Sequence, residues 1–185
     1  MDIIGIGLLL AIGGYAILAY NGLVKSRQMV REAWSGIDVQ LKRRANLIPN
    51  LLATVKGFAK HEAETLENVT RMRARVGQVA AGDISGRSQA EGMLTQALGK
   101  LMMVAENYPE LKANENFLEL QSALAETEDE IQMSRRYYNG AARALNVKVE
   151  SFPSNIIANT FKFEETDYFE LENDGDRAVP DVSFE

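Results

Sequence analysis

The hydrophobic pattern of this chain changes period once, near Lys25. Residues 3–24 include no charged side chain, and Lys25-Ser26-Arg27 then opens a basic, amphipathic stretch. An uncharged run of that length is what a bilayer requires of a helix, roughly 20 residues at about 1.5 Å each. A buried helix of a soluble protein would normally keep a polar face, and this run lacks one. Further on, Val30, Trp34, Ile37, Leu41, Ala45, Ile48, Leu52 and Val55 recur at steps of three or four, the period of one amphipathic helix. No Gly/Pro cluster separates it from the apolar run, so one helix can leave the membrane unbroken. Gly36 costs about 1 kcal/mol relative to alanine inside it. Pro49 removes a backbone hydrogen bond and is expected to bend the helix near Ala45.

Three more helices follow. The second covers about 60–79, with Leu66, Val69, Met72, Val76 and Val79 inward. Residues 77–88, holding Gly82, Asp83, Ser85 and Gly86, read as a loop. The third covers about 89–107, with Leu94, Leu98, Leu101 and Ala105 inward, and Tyr108-Pro109 ends it. The fourth, about 116–150, is capped by Asn114 or Asn116 and would be about 50 Å long. Its inward positions are Phe117, Leu120, Leu124, Thr127, Ile131, Ser134, Tyr138, Ala141 and Leu145, a heptad stripe without a slip. The small polar Thr127 and Ser134 imply close approach by a neighbour. Phe152-Pro153 stops this helix, and 154–161 adds one short turn capped by Ser154 or Asn155. The expected fold is therefore all-α: one N-terminal transmembrane helix and an antiparallel bundle of about four long helices. Residues 1–24 are the anchor and 25–161 the helical domain. Residues 162–185 form an acidic, extended or disordered tail, with Phe163, Tyr168, Phe169 and Leu171 as candidate docking residues.

Charge sharpens this picture. The 185 residues carry a net −6, but from Glu164 onward nine acids face Arg177 alone, so that segment holds −8 and the remainder +2. Nucleic acid is not the partner of such a balance. The basic residues Lys25, Arg27, Arg31, Lys42, Arg43 and Arg44 follow the apolar run, against Glu32 and Asp38. The positive-inside rule puts that flank, and the domain, in the cytoplasm, with the N-terminus outside. Asp2 is the only charged side chain before the run, and the run is too long for a cleaved signal peptide. Gly7, Ala11 and Gly14 share one helical face, with Gly13 beside them. Close helix packing and the ordinary frequency of glycine in lipid both account for them. Tyr20 is placed for the membrane interface.

Candidate chemistry is sparse. The chain has no cysteine, which removes disulfides, thiolate metal sites and cysteine nucleophiles without fixing a redox compartment. His61 is the only histidine, so two Glu-x-x-His motifs for a di-iron bundle site are impossible, and a surface position suits it. Glu126, Glu128, Asp129 and Glu130 read as a cation site or, more simply, as a solvated face paired with Arg135 and Arg136. Arg43 and Arg44 flank the first stripe and read as solvated or ion-paired. The glycine pairs lie inside the apolar run with no preceding strand, so no nucleotide loop is formed. No catalytic, cofactor-binding or metal residue is assigned, and no cofactor is expected.

Five segments carry a resemblance: EAWSGIDVQLKRRANLIPNL (32–51), VKGFAKHE (55–62), ENYPELKANENFLELQ (106–121), RRYYNGAARALN (135–146) and FPSNIIANTF (152–161). In order and spacing they resemble the LemA family of bacterial membrane proteins. The resemblance implies a short outside N-terminus, one transmembrane helix, a cytoplasmic bundle of long helices and no established enzymatic activity. It also implies a setting near membrane proteases or other envelope proteins. The function expected first is a non-enzymatic, self-associating scaffold of the inner membrane. An adaptor or regulator of a membrane protease is the alternative, and an enzyme of unrecognised type the third reading. Self-association is expected to use Trp34 and Ile37, left uncovered near the membrane, the Gly7/Ala11/Gly14 face, and the acidic tail reaching a neighbour's Lys42, Arg43 and Arg44.

Overall fold

The computed structural model describes residues 3–170, which are mostly helical, with no strand among them. Six helices follow in order: α1 (Ile3–Phe58), α2 (Ala63–Gln78), α3 (Ile84–Ala105), α4 (Pro109–Lys112), α5 (Glu115–Glu150) and α6 (Ser154–Thr160). The chain divides into two compact units, and both α1 and α5 contribute to each. The first takes 3–42 and 128–168; the second takes 43–127 and 169–170.

α1 runs unbroken for 56 residues. Its first turns are exposed, Ile3, Leu8, Leu10 and Leu18 among them, and the first fully buried side chain is Leu23. One helix is thus long and apolar enough to cross a membrane, and its apolar window is unburied. From Leu23 the buried set recurs at seven-residue spacing through Val30, Ile37 and Leu51, with Ala33, Leu41 and Ile48 between and Val55 beyond. Arg44 occupies the place in that series where an apolar residue belongs.

In the first unit, the C-terminal half of α5 packs against α1 in the opposite direction. The Trp34 and Tyr138 rings meet edge-on at 5.6 Å, and Lys148 reaches Gly22 and Ser26. Ile131, Tyr138, Ala141 and Leu145 are buried along the heptad stripe, as its spacing requires, while Ser134 is half-buried. Ile37 is fully buried and Trp34 half-buried. The expectation that both would lie uncovered for a neighbouring copy therefore fails: Ile37 is fully buried, and Tyr138 of α5 covers part of Trp34.

In the second unit, α2 packs on α3 as a helical hairpin around Val69, Val76, Leu94, Leu98 and Leu101, with Ile48, Leu51 and Val55 of α1. The connecting turn is shorter than the sequence suggests. Gly82 takes a φ of +91°, Asp83 caps α3, and its carboxylate accepts from Gly86 N at 2.7 Å. A Cβ at Gly86 would meet the Asp83 carboxylate, so a larger residue there would push the cap aside. Asn114 caps α5 through Phe117 N at 3.0 Å. Pro49 leaves the Ala45 carbonyl without its intrahelical donor, and Arg73 Nε of α2 supplies one at 3.0 Å.

The stripe makes a stability prediction. Ile131→Ala, at a fully buried position, should lower unfolding free energy by about 2–5 kcal/mol. Met133→Ala, on the exposed side of the same turn, should stay within about 0.5 kcal/mol. Denaturant titration of the whole protein in mild detergent distinguishes the two, and equal effects would show that the stripe is not core.

Candidate functional site

The chain's polar chemistry gathers at two places. In the second unit, Arg44 and Glu91 are each 1% exposed and pair at 2.6 Å. Arg44 Nη1 also donates to Thr95 Oγ1 at 2.8 Å, and Arg87 Nε donates to the other Glu91 carboxylate oxygen at 2.9 Å. Glu91 is thus held by two guanidinium groups, one buried and one reaching the surface. Two charges removed from water are tolerated only with such hydrogen bonding around them. The ion pair and its hydrogen bonds tie α1 to α3 within the second unit, which makes it a structural clamp between the two helices. Arg44 therefore does not flank the stripe in solvent, and Glu91 and Thr95 were not singled out by sequence. The one signal was Arg44's place in the seven-residue series.

The second place lies in the first unit, where α1 changes from exposed to buried. Ser26 is buried within the stripe, and Lys148 Nζ donates to its Oγ at 2.7 Å and to the Gly22 carbonyl at 3.1 Å. Arg27 lies 4.8 Å over the Phe163 ring, and Tyr20 packs on Phe161 and Phe163 at 4.8 and 5.8 Å. Cations and aromatic rings at one level are the composition of a membrane–water boundary.

Residues 163–168 run back along this unit without regular structure. Asn146 grips Thr166 twice, its amide donating to the Thr166 carbonyl and its oxygen accepting from Thr166 N, both at 2.9 Å. Tyr138 donates to the Asp167 carbonyl at 2.8 Å. Burial raises the Tyr138 phenol above its ordinary pKa and the Asp167 charge adds to this, against a lowering contribution from Thr166. Two of the expected docking residues, Phe163 and Phe169, are buried, Tyr168 is exposed, and Leu171 lies outside the described residues. Ser88 hydroxyl donates to the Glu170 carbonyl in the second unit.

The remaining sequence candidates are dispersed. His61 is exposed. Glu126 pairs with Arg43 at 3.2 Å rather than with Arg135 or Arg136, and Glu128 accepts from Gln132. Both partners of the Arg43 pair are solvent-exposed, so it contributes little. No carboxylate or histidine group suited to a metal occurs among the described residues. Tyr108 donates to Glu62 at 3.0 Å, and that hydrogen bond, more than its burial, raises the phenol. Lys42 is paired with Asp38 and Arg44 is buried, so the basic flank expected to receive a neighbour's tail is reduced to partnered side chains.

The LemA family model matches residues 33–184, well over half of the chain. Protein LemA of Metamycoplasma hominis is 28% identical over 138 residues, covering 75% of this chain and 63% of that protein. Magnetosome protein MamQ 2 of Paramagnetospirillum magneticum is 26% identical over 188 residues, covering 88% of this chain and 69% of the relative. Magnetosome protein MamQ of Magnetospirillum gryphiswaldense is 23% identical over the same shares.

Two predictions follow from these geometries. Glu91→Ala should cost about 3–5 kcal/mol, because it strands a buried guanidinium, whereas Arg44→Met with Glu91→Leu should cost far less and can be neutral. Thermal melts of the single and double variants test this; equal losses would mean that volume, not charge, governs the site. A raised phenol pKa favours the neutral form in the folded state. The stability owed to Tyr138 is therefore present below the free phenol value of about 10 and is lost as pH rises through the raised value. Tyr138→Phe should flatten that alkaline decline in a pH series of melts while removing about 0.5–1.5 kcal/mol at neutral pH.

Proposed function

The chain belongs to the LemA family, and we propose on that premise that it is a membrane-anchored, non-enzymatic scaffold or interaction protein of the bacterial envelope. The observation that carries this reading is the continuity of α1. One backbone serves first as an uncharged, exposed segment of membrane-spanning length and then, from Leu23, as a buried helix, so no linker separates the two. Attachment through a rigid helix suits a protein that positions something relative to the bilayer. The buried Arg44–Glu91 pair and the Asp83 and Asn114 caps join or end helices, which suits a structural role. The two curated relatives named for the magnetosome place other chains of this type in a specialised bacterial setting.

The finer reading is an inner-membrane location with the N-terminus outside and the helical domain in the cytoplasm, supported by Lys25, Arg27 and Arg31 after the apolar segment. Self-association rests on the anchor. Gly7 and Gly14 have open space where a Cβ would stand, so a second helix can come close there. Cyclic assembly is the ordinary outcome for identical chains in one membrane plane.

One experiment addresses orientation and another assembly. Ala81→Cys, in the exposed turn before α3, should resist a membrane-impermeant thiol reagent in intact cells and react after lysis; ready labelling in intact cells would reverse the topology. Light scattering in mild detergent should give an oligomer that Gly7→Ile with Gly14→Ile weakens. A monomeric wild type would favour the alternative, an adaptor that binds a membrane protease or other envelope protein singly.

A further inference from the structure

The turn between α5 and α6 carries an apolar surface that the domain does not use. Residues 151–161, SFPSNIIANTF, hold no charge, and the stretch lies between Glu150 and Lys162. Phe152 is 80% exposed, and Ile156 and Phe161 are each 55% exposed. These side chains do not face open water alone. Phe152, Ile156 and Ile157 form an apolar groove with Ala11, Ile12 and Ala16 of α1. Those three α1 residues lie well inside the uncharged segment. Along a straight helix Ala16 and Ala11 stand about 9 and 16 Å beyond Gly22. Gly22 itself is at the level marked by Lys148, Ser26, Arg27 and Tyr20.

A span placed across residues 3–24 therefore carries its neighbour into the bilayer with it. We propose that residues 152–157 form a short re-entrant wedge, buried in the acyl chains of the leaflet nearest the domain and seated against the anchor. The inference rests on the anchor reading given above. The occupant of the groove is lipid acyl chain, because the groove is continuous with a surface already committed to lipid and its exposed rim is Phe152 and Ile156. The backbone is prepared for such a place. Pro153 has no N–H to satisfy, Asn155 N and Ile156 N are bonded to Ser151 and Pro153 carbonyls, and Phe161 N to that of Ile157. The Ser154 hydroxyl donates to the Lys148 and Ser151 carbonyls, and the Thr160 hydroxyl to that of Ile156. Asn155 and Asn159, four apart, share one face of α6 and leave another to the apolar side chains. Glu150 and Lys162 are the charges that bracket the stretch, placed at its two ends rather than within it.

The chain has no cysteine, so single nitroxide labels can be placed without background. Leu9→Cys, Phe152→Cys, Ile156→Cys and Ala81→Cys variants of the full chain would be reconstituted in vesicles of phosphatidylethanolamine and phosphatidylglycerol. Collision with molecular oxygen, concentrated in lipid, and with a nickel chelate, confined to water, would be read by spin-label power saturation. Phe152 and Ile156 are both exposed, so labelling them removes no core contact. The wedge predicts that labels at 152 and 156 behave like Leu9, rich in oxygen contact and shielded from nickel, while Ala81 shows the reverse. Nickel contact at 152 and 156 with Leu9 shielded would overturn the wedge and leave the anchor standing. Nickel contact at Leu9 as well would overturn both. Labels at 152 and 156 shielded from both reagents would mean that protein covers the groove, and would overturn a lipid occupant.

Discussion

The passage of α1 from one solvent to another, between Tyr20 and Arg27, is the constraint on which the first unit is built. On one side of Gly22 a side chain has only to be apolar; on the other it has to be buried against protein. A break in the helix there would be the simplest device, but it would leave carbonyl groups to satisfy at the edge of the bilayer. The chain instead keeps the helix and changes what surrounds it. Lys148 lends a donor to the Gly22 carbonyl and to Ser26, and the rings of Phe161 and Phe163 close over Tyr20 and under Arg27. The return of α5 in the opposite direction is what delivers Lys148 and these rings to that level.

The second unit solves a different problem with charge. A guanidinium in a heptad position interrupts the apolar stripe of α1 and would be costly if solvated by nothing. Glu91, Thr95 and Arg87 surround it from α3. Such a site need add no more to stability than apolar side chains of the same volume would, and its hydrogen bonds tie α3 to α1 at one point. The capture of the Ala45 carbonyl by Arg73 acts in the same way on α2. Proline and arginine, both poor choices for a uniform stripe, thus fix how the hairpin sits on the first helix.

Much of the architecture was legible in the sequence because it is written in period. The steps from Phe117 to Leu145 gave α5 almost to the residue, and the uncharged run marked the exposed part of α1. What was hidden depended on partners distant along the chain. Arg44 reads as a surface residue until Glu91 is placed beside it, 47 positions away. Ser85, Gly86 and Ser88 read as loop because their helix propensities are low, and only the Asp83 cap turns them into the first turns of α3. The uncovered Trp34 and Ile37 were a misreading of the same sort, since nothing local shows that Tyr138 lies against Trp34. The apolar letters of 152–161 were plain, but their neighbour, α1 near Ala16, stands some 140 residues earlier.

The double grip of Asn146 on Thr166 closes a loop of 20 residues that contains the whole of α6. Viewed mechanically, that clasp is a strain relief. Tension arriving along the chain from beyond Tyr168 meets the Asn146 amide and the Tyr138 hydroxyl before it can reach Phe161 or the turn at Pro153. These bonds join the strap to α5 side by side, and α5 is in turn bound to α1 at Ser26. A pull from the C-terminal side meets the Ser88 bond to the Glu170 carbonyl first, and whatever passes Tyr168 is taken up by α5 and α1, with α6 left unloaded in its place beside the anchor.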